Sequence, residues 1–442
     1  MNEHSTQEHG GQRPVRRVRR KKTPWQKFRE AYLPFVIVMV GIILIIALIV
    51  GIVKLAAGGS DNESTIPEQT MGTSPVSHEG DKDVDGLLGE AAALASQYDY
   101  DAAIAALENS GSADSRVKEI LDQYTRERDA LVVWPNNTEV PHISFQQLVA
   151  DTARAFDGDS KSTDYKDYNL TISEFKGILQ QLYANGYVLV STDDIARSDA
   201  DGKYKATEIL LPDNRKPIMM SLIPAHYSLD MAGDGFPRRL MVGENGQITC
   251  EYIDSAATRL QGGYDFVSIL EEFLAEHPDF SYKGARAILG LCDDADPLGY
   301  DPKDPAELES MKEVIRCLKE TGYEFASFTY GGIRYGDADS QDVAEDVDKW
   351  KTAYGDLLGG TTILIYAGGS DLLEYEGAKY ETLYNAGFRF FVGMDNNAES
   401  WGMITDNYVR QSRRTINGVR ITQNADLVDD LFDAKQILDD AR

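Results

Sequence analysis

Pro217-Ile218-Met219-Met220-Ser221-Leu222 is an uncharged, almost wholly apolar run, and it reads as a short buried strand. Similar runs recur along the chain, at His142-Ile143-Ser144-Phe145 and at residues 187–191, 285–291, 325–327, 362–366 and 388–392. Between several of them lie amphipathic helical patterns, at residues 172–185, 266–277, 306–321, 342–357 and 378–386. Strand and helix alternating over this length imply a parallel sheet, either open or closed on itself. Several helices precede barrel-type strands, so the expected fold is a (β/α) barrel with its function at the C-terminal ends of the strands.

Upstream, residues 84–130 are helical in pattern. Leu87, Leu88, Ala91, Leu94, Ala95 and Tyr98 recur at three- and four-residue spacing, Ala102, Ile104, Ala105 and Leu107 mark a second helix, and Val117, Ile120, Leu121 and Tyr124 a third. With Tyr98-Asp99-Tyr100-Asp101 between the first two, the segment resembles one tetratricopeptide-type hairpin. Such repeats need about three units to be stable, so the expectation is a spacer packed on the main domain.

Residues 55–83 are rich in Gly, Ser, Thr, Pro, Asn and acids, a linker too polar to pack. Before them, residues 33–53 read LPFVIVMVGIILIIALIVGIV without a charge. About 20 such residues in a helix match the ~30 Å core of a bilayer. The run exceeds the about 7–15 apolar residues of a signal peptide, which makes residues 33–54 an uncleaved transmembrane helix rather than a leader. Residues 1–32 carry Arg13, Arg16, Arg17, Arg19, Arg20, Lys21, Lys22, Lys27 and Arg29 against Glu3, Glu8 and Glu30. That asymmetry predicts a basic cytoplasmic tail, a single pass through the cell membrane, and an extracytoplasmic domain spanning 135–442.

The chain carries 72 acidic residues against 44 Lys and Arg, a formal net charge of −28. With the basic tail set aside the excess of acid grows, which argues against nucleic acid and against tight contact with an anionic surface. Three cysteines, Cys250, Cys292 and Cys317, are too few for a disulfide scaffold, and their spacing fits no metal motif.

From Val140 to Arg442 the chain resembles a bacterial branch of the polysaccharide deacetylase family. The likeness rests on ordered blocks, among them Val140-Pro141-His142-Ile143, Glu174-Phe175, Asn185-Gly186-Tyr187-Val188-Leu189-Val190, Gly233-Asp234-Gly235-Phe236, His277-Pro278-Asp279-Phe280-Ser281-Tyr282-Lys283-Gly284-Ala285, Tyr408-Val409-Arg410-Gln411 with Arg413-Arg414, and Asp440-Ala441-Arg442. The resemblance implies a distorted (β/α) barrel that hydrolyses N-acetyl groups on surface glycans. It also implies a divalent metal, usually zinc, held by one aspartate and two histidines, with a second aspartate as base. Such ligands leave an open position on the metal, which lowers the pKa of bound water to about 7.

In this chain the positions carried over from the family's Asp-Asp pair are Ile223 and Pro224, and those of its two histidines are Phe328 and Gly332. An early family histidine falls on Gln146, and a Tyr-Pro-x-Gly loop appears as Tyr366-Ala367-Gly368-Gly369. Ile223 and Pro224 can neither bind a metal nor move a proton, and Phe328 and Gly332 replace the two histidine ligands. The expectation is therefore a metal-free, catalytically degenerate barrel that acts by binding a cell-wall glycan or an envelope protein. The alternative is an active carbohydrate N-deacetylase or related hydrolase with a rebuilt site. His226, Tyr227, Tyr330, Tyr366, Asp371 and Asp395 are the candidate cleft or substrate residues for either reading. Asp293, Asp294 and Asp296 form an acidic loop read as solvated, and Ser221 and Ser327 lie outside any nucleophile elbow, with no histidine placed to serve both.

Overall fold

The computed structural model describes residues 84–293, 296–395 and 399–442. The basic tail, the predicted anchor at 33–54 and the linker lie outside these residues, as does Asp294. Among the described residues no helix is long and apolar enough to cross a membrane.

Seven strands form the centre: β1 (His142–Phe145), β2 (Lys216–Leu222), β3 (Ile288–Leu291), β4 (Glu324–Ser327), β5 (Ile363–Ile365), β6 (Phe390–Met394) and β7 (Val409–Thr415). Each pairs in parallel with the next along the chain. The ring closes where β7 pairs with β1, through Arg414↔Ile143 and Thr415↔Ser144. Of the open and closed sheets the sequence allows, the closed barrel is the one formed, and closure leaves these strands no unpaired edge.

Alternate residues of each strand enter two separate apolar cores, as a period of two demands. Met219, Ile288, Ala326, Ile363, Ile365, Phe390, Val392 and Val409 pack together inside the ring. Ile218, Met220, Leu222, Leu289, Leu291, Phe325, Leu364 and Phe391 belong to the core between ring and helices.

Helices α1 (Val84–Ser96), α2 (Tyr100–Asn109) and α3 (Ser115–Asp129) bear out the helical reading of the upstream segment. Ala91, Ala95, Ala103, Ile104, Leu107, Val117 and Tyr124 form their own small core. The chain between α1 and α2 ties to the barrel, since Lys283 N donates to Gln97 O at 2.8 Å and Tyr98 buries its ring at a φ of +62°.

The barrel's outer layer holds α4 (Ile172–Ala184), α5 (Phe266–Glu276), α6 (Pro305–Thr321), α7 (Ser340–Trp350) and α8 (Gly377–Asn385), with α9 (Gly418–Gln423) following β7. Their ends follow local chemistry. Thr171 and Glu174 form a reciprocal cap at the start of α4. Asp304 caps α6, Pro305 fills its first position, and Gly322 at a φ of +112° ends it. The helix expected over 342–357 begins earlier, because Asp339 caps the Gln341 and Asp342 amides, and it passes through a π turn at Lys351–Gly355.

Three features differ from the sequence reading. The run at 187–191 forms a strand, Tyr187–Leu189, that pairs with the N-terminal half of β2 and stands outside the ring. The seventh ring strand is β7, which carries no apolar run. Between β2 and α5 the chain also makes an antiparallel sheet of Arg239–Val242, Ile248–Ile253 and Arg259–Gly262. Cys250, Cys292 and Cys317 are buried and make no disulfide.

Candidate functional site

The C-terminal ends of the strands open on a cleft of about 670 Å³. Phe145 and Gln146 reach it from β1, Ile223 and Pro224 from just past β2, Phe328 from just past β4, Met394 from β6, Arg413 and Thr415 from β7, and Arg420 from α9. Backbone bonds fix the two apolar walls: Ile223 N donates to Phe145 O and Phe328 N to Leu291 O, both at 2.9 Å. Gly290 on β3 permits their approach. A Cβ there would stand 2.7 Å from Ile223 Cγ2 and 3.3 Å from Phe328 Cβ, so a larger residue would push both walls outward.

Beneath the cleft, inside the ring, lies a polar layer. Gln411 Nε2 donates to Val140 O at 3.0 Å, which turns its Oε1 toward His142 Nδ1, also 3.0 Å away. His142 therefore carries its proton on Nδ1, and Nε2 accepts from Ser221 Oγ at 3.0 Å. The sequence reading found no histidine serving both Ser221 and Ser327. His142 does reach Ser221, but both side chains are sealed in the ring and meet no substrate. Burial, reinforced by the nearby Arg413 guanidinium, pushes the His142 pKa down to about 3, so it is neutral at pH 7.

Arg413 is the cation at the base of the cleft, only 2% exposed. Its Nη2 donates to Tyr366 O at 3.2 Å, whereas Nε and Nη1 have no partner among the described residues. Burial pulls its pKa down to about 10, which leaves it charged at pH 7. Its neighbours on β7 are paired: Arg410 with Asp371 at 2.7 Å, and Arg414 with Asp430 at 2.7 and 2.9 Å. Arg420 adds a second guanidinium, its Nε donating to Thr415 O at 3.3 Å and its Nη1 without a partner. Burial and Arg414 lower the Arg420 pKa, while Asp426 opposes them. Among the described residues, no Asp or Glu lines the cleft.

The residues present do not fit the divalent metal that the family resemblance implies. Ile223, Pro224 and Phe328 meet in the cleft and offer no donor, and two arginines share it. Gly332 stands on an exposed loop and is not among the residues lining the cleft, and Gln146 lines it where the early histidine would stand. Among the described residues, no group of three or more His, Cys, Asp and Glu side chains is placed to hold a metal ion.

The other predicted residues fall in separate places. His226 lines a smaller adjoining pocket, sharing the walls Gln146, Tyr168 and Pro224 with the main cleft. Tyr227 is buried in the core, its hydroxyl donating to Asp265 Oδ2 at 2.6 Å. Tyr330 is half-buried on a loop held by Asp346, which accepts from the Tyr330 and Gly331 amides and from the Tyr335 hydroxyl, each at 2.7 Å. Tyr366 is buried, with its hydroxyl 3.0 Å from that of Tyr375. Asp371 pairs with Arg410 in a further pocket beside Trp401, and Asp395 accepts from Trp401 Nε1 at 2.9 Å. The sequence reading missed Arg413 and Arg420 as site residues. Arg413 lies on a strand with no apolar run and Arg420 on the helix after it, so no local pattern marked either.

No protein-family model matches the chain, and neither does any curated protein. Among solved structures, the Streptococcus pyogenes deacetylase PplD in complex with acetate is similar at 13% identity and a TM-score of 0.35, covering 65% of this chain and 94% of its own. A Mycobacterium smegmatis protein described as a polysaccharide deacetylase is similar at 10% identity and a TM-score of 0.22, covering 64% of this chain and 62% of its own.

Proposed function

We propose that this chain holds a deacetylase-like barrel at the outer face of a membrane, and that the barrel mouth binds a cell-envelope saccharide without metal-dependent deacetylation. The reading draws its anchor from residues 33–53 and its glycan from the family resemblance of residues 140–442. One observation carries it: Ile223, Pro224 and Phe328 converge in a strand-end cleft whose polar side chains are arginines, amides and the hydroxyls of Tyr168 and Thr415.

Without metal ligands the mouth lacks the Lewis acid that activates water in metal-dependent deacetylation, and the chemistry read from its residues is recognition. Ile223, Phe328 and Met394 present apolar surface to the C–H face of a sugar ring. Gln146, Asn417 and Asn424 supply amides for hydroxyl groups, the mixture usual for ligand clefts. For the rebuilt-hydrolase alternative, His226 stands in the adjoining pocket rather than the cleft, Asp371 is tied to Arg410, and neither Asp371 nor Asp395 lines the cleft.

Two measurements on the purified full chain decide the matter: its zinc content, and acetate release from N-acetylated glycan oligomers. Metal well below one equivalent and no acetate are expected. Stoichiometric zinc with metal-dependent acetate release would overturn the proposal.

A further inference from the structure

In an acidic chain, the base of the barrel mouth is built around a cation that no carboxylate among the described residues pairs with. Arg413 is almost completely buried and keeps Nε and Nη1 without partners. The group it approaches inside the ring, His142, is neutral. A buried guanidinium without a counter-charge is costly, and loses that cost when an anion is brought against it. The other arginines of β7 show the contrast, since Arg410 and Arg414 each have a carboxylate. Arg420 brings a second positive group to the same cleft, again with an unpartnered nitrogen.

We infer that the mouth recognises an oxyanion, a carboxylate or phosphate borne by the saccharide, seated against Arg413 and Arg420. The inference rests on the saccharide-binding reading above and names the class of sugar: an acidic one. Guanidinium donors match either oxyanion, and the charge-assisted bonds they form are about twice as strong as neutral ones. The apolar walls strengthen that preference by keeping water from the ion pair. The acidic surface elsewhere on the domain repels a polyanion, so capture is confined to the mouth.

The test is calorimetric titration of the full chain in mild detergent with four probes: trigalacturonic acid, glucose 1-phosphate, inorganic phosphate and neutral chitotriose. The expected result is tightest binding of one or both acidic sugars, at least about tenfold over chitotriose. Arg413→Met should remove that advantage, bringing the acidic sugars down to the chitotriose level. Because the substitution removes a buried unpaired charge, the ligand-free variant should melt no lower than the parent. If it does not fold, Arg420→Gln at the same cleft carries the comparison, with a smaller loss expected.

Chitotriose bound as tightly as the acidic sugars, or acidic-sugar binding unmoved by either substitution, would overturn the inference and leave saccharide binding standing. Inorganic phosphate bound as tightly as glucose 1-phosphate would overturn the claim that a sugar carries the anion. Binding of none of the four overturns it outright. Metal-dependent acetate release, in contrast, removes the underlying reading.

Discussion

Glu174 and Arg442 meet across 268 positions of sequence: Arg442 Nε donates to Glu174 Oε1 at 2.6 Å and Nη2 to Oε2 at 2.5 Å. The carboxylate is fully buried and also completes the cap of α4. Arg442 further donates to the carbonyls of Lys166 and Asn169, so the pair staples the last residues to the start of the barrel.

Removing one partner of a buried pair strands the other charge at a cost of about 3–5 kcal/mol. Arg442→Met should therefore lower stability by that order, read from the urea midpoint. The double variant with Glu174→Gln should lose less than the two single losses added together. Strict additivity would mean that the two groups do not interact.

His142 makes stability depend on pH in a defined direction. Folded, it stays neutral down to about pH 3, whereas an unfolded imidazole takes up a proton near pH 6.5. Between those values the unfolded state binds more protons. The contribution is therefore whole above about pH 6.5 and is lost as pH falls toward 3. Moving from pH 7 to pH 5 should cost the parent about 2 kcal/mol more than it costs His142→Asn. Equal losses in denaturant melts at the two pH values would show that His142 is accessible to protons.

Tyr227 holds the buried Asp265 carboxyl, whose pKa burial raises. Tyr227→Phe should cost about 1–3 kcal/mol by removing that donor. Saccharide titrations should be unchanged, since the ring lies in the core and not in the cleft. Weakened binding in a folded variant would place Tyr227 in the recognition surface.

The ring strands were legible wherever both faces of a strand are apolar, as in Ile218, Met219 and Met220 on β2 or Phe390, Phe391 and Val392 on β6. β7 was not, because Gln411 and Arg413 point into the polar layer and the mouth, while Arg410 and Arg414 pair with acids distant in sequence. No local pattern announces partners such as Asp371 and Asp430. The cleft positions Ile223, Pro224 and Phe328 followed from the resemblance and stand together. Gly332 does not join them, because the chain turns at Thr329, with a φ of +59°, and Asp346 then draws the next two amides aside. The antiparallel sheet between β2 and α5 was missed because its strands, such as Arg239–Val242, mix charged and apolar residues without a buried run.

The guanidinium at the base of the mouth also sets the terms on which this barrel could be given a metal ion. Ile223→Asp, Pro224→Asp and Phe328→His together would put oxygen and nitrogen donors around the cleft. A divalent ion entering there would still face a fixed positive charge in a region of low dielectric, where like charges repel most strongly. The triple variant is accordingly expected to stay free of zinc by elemental analysis, and to take it up only when Arg413→Met is added. Zinc in the triple variant alone would show that the arginine swings clear. On the proposed reading, the mouth excludes a metal ion twice, by the donors its walls lack and by the charge beneath them.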